Sequence, residues 1–315
     1  MNYYQILKIT GIILLIFSLF ILIPISAAFF YGESIDNFLQ SFLIIFFVGL
    51  LAYFPNKKER SQIKIREGFL IVAIFWFVLS FFGAIPFLMD ESLKFSLVDA
   101  VFESASGWTT TGATVVSNID NLNKPLLLYR QLLQWLGGIG IVVLVLAILP
   151  ILGVGGMYLY KAETSSPVKD NKLSPRITET AKSLWGVYIV LTIACAVLYK
   201  IAGMSYFDAI GHSFSTVSIG GFSTHDASIG FYSSDLIKII CMVFMFLSAL
   251  NFVLHFLFYK NKSLTVYTSN SEMKSFLFII IILLLLVTIF STGGRAQSVE
   301  NIDIIFHILS FATTS

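Results

Sequence analysis

Charge is scarce in this chain. Asp, Glu, Lys and Arg together make up 12% of its 315 residues, about half their share in an ordinary soluble domain. Hydrophobic residues fill 57%, which excludes a water-soluble globular domain. Cysteine is nearly missing. Its two copies, Cys195 and Cys241, both lie inside apolar stretches, so neither a disulfide framework nor a thiolate metal cluster has the residues it needs. Only four histidines occur, and none is paired with a carboxylate at metal-ligand spacing. A nucleophile elbow and a Walker loop are missing as well, so enzyme chemistry finds no support and no cofactor is expected. Glycines cluster at Gly137, Gly138 and Gly140, and again at Gly153, Gly155 and Gly156. No strand precedes either cluster, which excludes a dinucleotide loop and leaves close helix packing.

Long apolar runs are what the chain has in abundance. Seven of them, 6–30, 38–54, 69–88, 126–149, 184–199, 236–259 and 276–290, approach or exceed the roughly 20 residues that cross a bilayer as a helix. The chain therefore reads as an all-α polytopic membrane protein. Its first run is longer than the roughly 7 to 15 apolar residues of a signal peptide, so the small residues Ser26 to Ala28 are not expected to be a cleavage site. Threading the chain with its N-terminus inside puts most Lys and Arg, including Lys57, Lys58, Arg60 and Lys169, on the inner side. That is the orientation the positive-inside rule favours. The outer side is then acidic, through Glu33, Asp90, Asp120 and Asp226 among others. An acidic face concentrates cations, although outer loops that merely avoid Lys and Arg would look the same. The inner connection 161–182, punctuated by Pro167 and Pro175, reads either as solvated, topology-setting charge or as a dock for a cytosolic regulator.

A repeat is hidden in the outer connections. "DAVFESASGWTTTGAT" from Asp99 aligns with "DAIGHSFSTVSIGGFS" from Asp208, and "DIIFHILSFATTS" from Asp303 aligns with both. In the first two, a glycine stands thirteen residues after the Asp, at Gly112 and Gly221. Each segment begins with an expected helix of two to three turns, N-capped by the Asp. About ten residues of helix rise only ~15 Å, half a bilayer, so the segment must enter and return. The returning residues, "TTTGAT" and "SIGGFS", are irregular backbone, tolerated at membrane depth only inside protein or along a water-filled cavity. Glycine lets successive carbonyls turn the same way and an ion come close, and such an array can replace the hydration shell of a monovalent cation. Polar hairpins that simply glue helices together are the alternative.

At these residues, and at the blocks 128–156, 165–185 and 209–237, the sequence resembles the TrkH type of membrane subunit of the Trk potassium-uptake family, in the wider group that includes Ktr and plant HKT transporters. The resemblance implies two extra N-terminal helices and four helix, pore loop, helix repeats around a pseudo-fourfold ion pore. On that plan 1–66 holds the two extra helices, 67–160 repeat one, 161–182 a cytoplasmic linker, 183–262 repeat two and 263–315 part of repeat three. Repeat four is not contained in this sequence. The implied potassium filter consists of the carbonyls of Thr110, Thr111 and Gly112, of Ile219, Gly220 and Gly221, and of Thr314 and Ser315. The resemblance further implies K+ as the transported ion, a homodimer in contact with membrane lipid, a cytosolic TrkA-like nucleotide-binding regulatory partner, and the bacterial inner membrane. No nucleic acid is expected as a partner. In plant relatives a serine in place of the first filter glycine goes with sodium transport, so Gly112 favours potassium. A sodium-preferring relative and a non-conducting scaffold or split subunit are the alternatives; the 315 residues alone are expected to conduct nothing.

Four residues into each pore segment stand Glu103, His212 and His307. Ionisable groups at membrane depth are functional candidates, either as filter support together with Asp99, Asp208 and Asp303, or, for Glu103, as a direct attractor of ions. Arg130 is a candidate partner for Glu103. Asn251 and His255, four apart, are expected on one face of one apolar helix, lining an inner cavity or bonded to a neighbouring helix.

Overall fold

A computed structural model describes residues 3–59, 65–138, 140, 174–293 and 301–315. It is helical, with short 3-10 turns in the connections. Two antiparallel helices come first, α1 (Tyr3–Tyr31) and α2 (Asp36–Tyr53). Then follow α3 (Ile65–Gly83), a one-turn α4 (Ile85–Met89), the short α5 (Leu97–Trp108) and α6 (Lys124–Gly138). The next unit repeats that order with α7 (Ser174–Ile201), the short α8 (Tyr206–Ser218) and α9 (Asp235–Ala249), which is continued by α10 (Phe252–Asn261). A small α11 (Thr265–Ser269), a long α12 (Ser271–Gly293) and a third short helix, α13 (Asn301–Thr313), complete the described chain.

Length and composition qualify four described helices as spans, Tyr3–Tyr31, Asp36–Asn56, Leu70–Met89 and Lys182–Ile201, and the bent pair α9 and α10 counts as a fifth. That bend corrects one expectation. The run 236–259 is not one straight helix but breaks at Leu250 and Asn251 with a 92° turn. Leu250 is extended, with ψ 150, and the Asn251 side chain caps α10 by accepting from the Val253 N–H at 3.1 Å. Of the two roles expected for Asn251 and His255, the bond to a neighbouring helix is the one observed, Asn251 also donating to Glu272 of α12 at 3.4 Å. His255 spans the elbow, bonded to the Leu247 carbonyl at 2.9 Å and the Tyr267 hydroxyl at 2.8 Å. The inner half of the run 126–149, the linker 161–182 up to Leu173, and Gly153, Gly155 and Gly156 lie outside the described residues.

Two large apolar cores form, with a small third one at Val116, Ile119 and Leu127. In one, Phe17 of α1, Leu79 of α3, Trp108 of α5 and Leu132 of α6 are fully buried together. The other joins Tyr188, Tyr199, Val217, Phe244 and Leu309 from α7, α8, α9 and α13. Trp135 of α6 links them, stacking on Phe214 with ring centroids 5.0 Å apart and donating its indole N–H to Thr192 at 3.0 Å. The close packing expected of the first glycine cluster is present. A Cβ on Gly137 would overlap the Trp108 carbonyl, and one on Gly138 would sit 2.8 Å from Cα of Ser218. Thus α6 seats the inner ends of both α5 and α8.

Candidate cation filter

The short helices begin on capping interactions, one turn earlier than the sequence suggests. Ser96, not Asp99, is the N-cap of α5, and Asp99 completes a capping box by accepting from the Ser96 N–H at 3.0 Å. Ser205 caps α8 in the same way, accepting from the Asp208 N–H at 3.0 Å. Asp303, in the first turn of α13, receives Lys238 of α9 at 2.6 Å. The three aspartates thus stand in the first turns of the short helices, where a carboxylate complements the helix dipole, and Asp208 also accepts from the Thr224 hydroxyl of the returning loop at 2.8 Å.

At their inner ends the three helices finish identically. Thr111 N–H reaches back to the Ser106 carbonyl, Gly220 N–H to that of Ser215 and Ser315 N–H to that of Ser310, each at 2.9 Å. Thr110, Ile219 and Thr314 N–H groups close the inner ring on Gly107, Thr216 and Phe311. This is the Schellman termination, which calls for a left-handed residue at the first position beyond the helix, usually glycine. Here that residue is Thr110, Ile219 or Thr314, with φ of 52°, 55° and 62°. A left-handed side-chain-bearing residue costs roughly 1–2 kcal/mol, so the same strain is held three times in register, eleven residues after each aspartate.

The loops that leave these turns converge. A Cβ placed on Gly112, whose φ is +75°, would overlap the Gly220 carbonyl oxygen. One placed on Gly221 would lie 3.2 Å from the Ser315 carbonyl carbon and 3.9 Å from Cα of Gly112. Three backbone segments from three separate helices therefore meet at van der Waals distance around one point.

Behind the loops the polar side chains are matched by position. Glu103 accepts from the Thr114 hydroxyl at 2.9 Å and from the Val115 N–H at 3.1 Å. His212, at the same place in α8, bonds the Ser223 hydroxyl at 2.9 Å, and Thr114 and Ser223 are again equivalent in the repeat. Glu103 is fully buried and its carboxylate also accepts from Arg130 Nε at 2.8 Å, which makes it a brace for the loop. Arg130 reaches further, donating to the Ser223 carbonyl at 3.2 Å and the Thr114 hydroxyl at 3.0 Å, with its guanidinium 4.4 Å from the centre of the Phe222 ring. One arginine on α6 thereby ties the first loop to the second. His307 is exposed.

Outside the filter the two loops grip each other. Ile119 N–H donates to Asp226 at 3.0 Å and Asp226 N–H to Asp120 at 3.3 Å, while His225 Nδ1 lies 2.6 Å from Asp120 and its ring stacks on Phe231 at 3.6 Å. The His225 bond holds the Asp120 carboxyl below its ordinary value of 3.8. Sequence reasoning overlooked this grip and also Gln134, which lies one turn from Arg130 on the same face of α6. Two polar residues four apart in an apolar helix were the available signal.

Apolar spans joined by short helices that end on strained caps, with the segments beyond them meeting at one place, define an integral membrane protein of the pore-loop class. The TrkH family model, described as "Cation transport protein", matches residues 34–314, and the chain belongs to that family. It is 46% identical over 319 residues to the Trk system potassium uptake protein TrkH of Escherichia coli strain K12, covering all of this chain and 66% of that protein. It is 42% identical over 270 residues to TrkG of the same organism, covering 85% of this chain and 56% of that one. The crystal structure of the potassium transporter TrkH from Vibrio parahaemolyticus superposes with a TM-score of 0.85 at 42% identity, over all of this chain and 64% of the other. The chain thus spans 66% of the length of its first curated relative. Transport rather than enzyme chemistry agrees with the family's description.

Proposed function

We propose that this chain forms part of the pore of a potassium uptake system. The observation that carries the reading is the threefold strained turn at Thr110, Ile219 and Thr314, with the segments beyond it converging at Gly112, Gly221 and Ser315. Strain persists where surrounding structure over-determines it, and it clusters at functional sites. Here it aims carbonyls from three loops at one place. The ligating set is the backbone of Thr110, Thr111 and Gly112, of Ile219 and Gly221, and of Thr314 and Ser315, with Gly220 completing the second loop. Repeat units at 67–160, 183–262 and 263–315 each carry one loop, behind an N-terminal pair at 1–66.

The N-terminus faces the cytoplasm of a bacterial inner membrane, the orientation that puts the positive loops inside. Potassium then enters down the membrane potential, worth about 2.3 kcal/mol per charge per 100 mV. The relatives are named as parts of a Trk system, which supports a multi-component assembly. A homodimer with a TrkA-like nucleotide-binding partner below it is the arrangement proposed for this chain. The test is uptake of rubidium against competing sodium by the full-length gene product in cells lacking their own potassium uptake. Wild type should prefer rubidium, and Gly112→Ser, whose side chain meets the Gly220 carbonyl at a left-handed φ, should shift the competition toward sodium. Unchanged selectivity and rate in Gly112→Ser would place the filter elsewhere.

A further inference from the structure

Gln134 is fully buried in α6 and both ends of its carboxamide are used on the second loop. Its Nε2 donates to the Gly220 carbonyl at 2.6 Å, and its Oε1 accepts from the Phe222 N–H at 3.0 Å. Only this orientation of the amide satisfies a carbonyl and an N–H together. The two bonds fall on either side of Gly221, the residue that approaches Gly112 and Ser315. The side chain thus fixes the direction of both peptide planes flanking the filter glycine.

The same contact explains the glycine at 220. Its φ is not left-handed, so no backbone requirement calls for glycine there. A Cβ on Gly220 would instead stand 2.5 Å from Gln134 Oε1 and 2.8 Å from Nε2, and Gln134 supplies all three of its nearest neighbours. The residue is small because the carboxamide lies on it. The first loop is built differently. Thr111 occupies the position equivalent to Gly220, and it is held by its own hydroxyl, 2.8 Å from that of Thr109.

We infer that Gln134 is a specificity-determining positioning residue, an amide clamp that holds the Gly220 carbonyl and thereby sets where the Gly221 segment presents its oxygens to the ion. This rests on the proposal that the loops form a cation filter. Gly220 then contributes through its smallness and through the clamp rather than as an independent ion ligand.

The test uses the full-length gene product and measures rubidium uptake against sodium, with protein amount and thermal stability in detergent recorded alongside. Gln134→Met keeps the length of the side chain and removes both bonds. It should lower the rubidium-to-sodium preference about tenfold, the equivalent of roughly 1.4 kcal/mol and close to what one buried hydrogen bond contributes. Gly220→Ala, which evicts the carboxamide, should produce the same shift. The double variant should be no worse than either single change, since both remove one interaction. Additive losses would show Gly220 acting on its own and overturn the clamp. Unchanged selectivity in Gln134→Met, while Gly112→Ser does alter it, would also overturn the clamp and leave the filter in place. Unchanged selectivity in all three variants would remove the filter reading itself. Should Gln134→Met fail to accumulate, Gly220→Ala alone decides the matter, because wild-type selectivity there would mean that the carboxamide is not what orients the loop.

Discussion

Replacing Arg130 by methionine tests the brace behind the filter most directly. The side chain is fully buried, and so is Glu103, its partner at 2.8 Å. Methionine preserves much of the apolar stem but deletes three hydrogen bonds, to Glu103, to the Thr114 hydroxyl and to the Ser223 carbonyl. It also removes the cation stacked 4.4 Å from the Phe222 ring. What remains is a carboxylate in the protein interior, held only by the Thr114 hydroxyl and the Val115 N–H. Stranding one charge of a buried pair costs about 3–5 kcal/mol, far above the 0–1 kcal/mol of a surface pair. Removing both charges, in Arg130→Met with Glu103→Gln, abolishes the stranded carboxylate and should recover about half of that loss. Arg130→Lys keeps the charge but loses the planar fork that serves three acceptors at once, so it should fall in between. Equilibrium unfolding of the purified full-length product by SDS in mixed micelles measures all three. A loss below about 1 kcal/mol for Arg130→Met, or a double variant less stable than the single one, would refute the reasoning.

Further outcomes follow from other contacts. The grip between the outer loops has a pH limb of known sign. Asp120 is held below its ordinary value of 3.8, so its stabilising contribution is complete above that pH and is lost as pH falls through its lowered value. Asp120→Asn should therefore flatten the acid limb of a stability profile below about pH 4, and His225→Gln should do the same by removing the bond at 2.6 Å; an unaltered limb in both variants would show the grip to be absent. His255→Ala deletes two bonds across the elbow of α9 and α10 and should destabilise by about 1–3 kcal/mol, whereas Tyr267→Phe removes one and should cost about 1 kcal/mol. Equal stability of His255→Ala and wild type in SDS unfolding would show that the elbow needs no latch.

Much of the membrane plan was legible because apolar length reports it directly. The first two spans, expected at 6–30 and 38–54, form at Tyr3–Tyr31 and Asp36–Tyr53. The repeat was legible for a different reason. Asp99, Asp208 and Asp303 start the same local structure three times, so even short helices could be placed within a few residues. The cap was misplaced because Ser-x-x-Asp is a reciprocal box, in which the first residue and not the acid leads the helix. The elbow at 250 was hidden by composition. No glycine or proline interrupts the run from Leu236 to Tyr259, and the one clue, an asparagine able to cap a new helix, was equally readable as a polar residue facing a cavity. Pairings across the loops, such as His225 with Asp120 and Gln134 with Gly220, join positions 105 and 86 residues apart. Periodicity carries no information at that separation.

The strained turns explain why those long-range pairs are there at all. A β-branched residue such as Ile219 at φ 55° is a genuine outlier for an isolated chain, and a Schellman turn alone does not hold it, since glycine at that position would relax the cost and keep the same hydrogen bonds. What glycine lacks is a side chain and a restricted unfolded state. Placing Ile219 or Thr110 there keeps the turn from sampling the many conformations open to glycine, and the neighbouring segments must then supply the stabilisation. They do so from the inner-helix side. Gln134 fixes the peptides around Gly221, while Arg130 and Glu103 fix the segment after Gly112 and its counterpart at Ser223. The backbone of the first two loops is therefore set twice, by the end of each short helix and by polar groups on α6. If the loops form the proposed filter, a cation exchanging its hydration shell for carbonyls would then owe its selection as much to α6 as to the loops themselves.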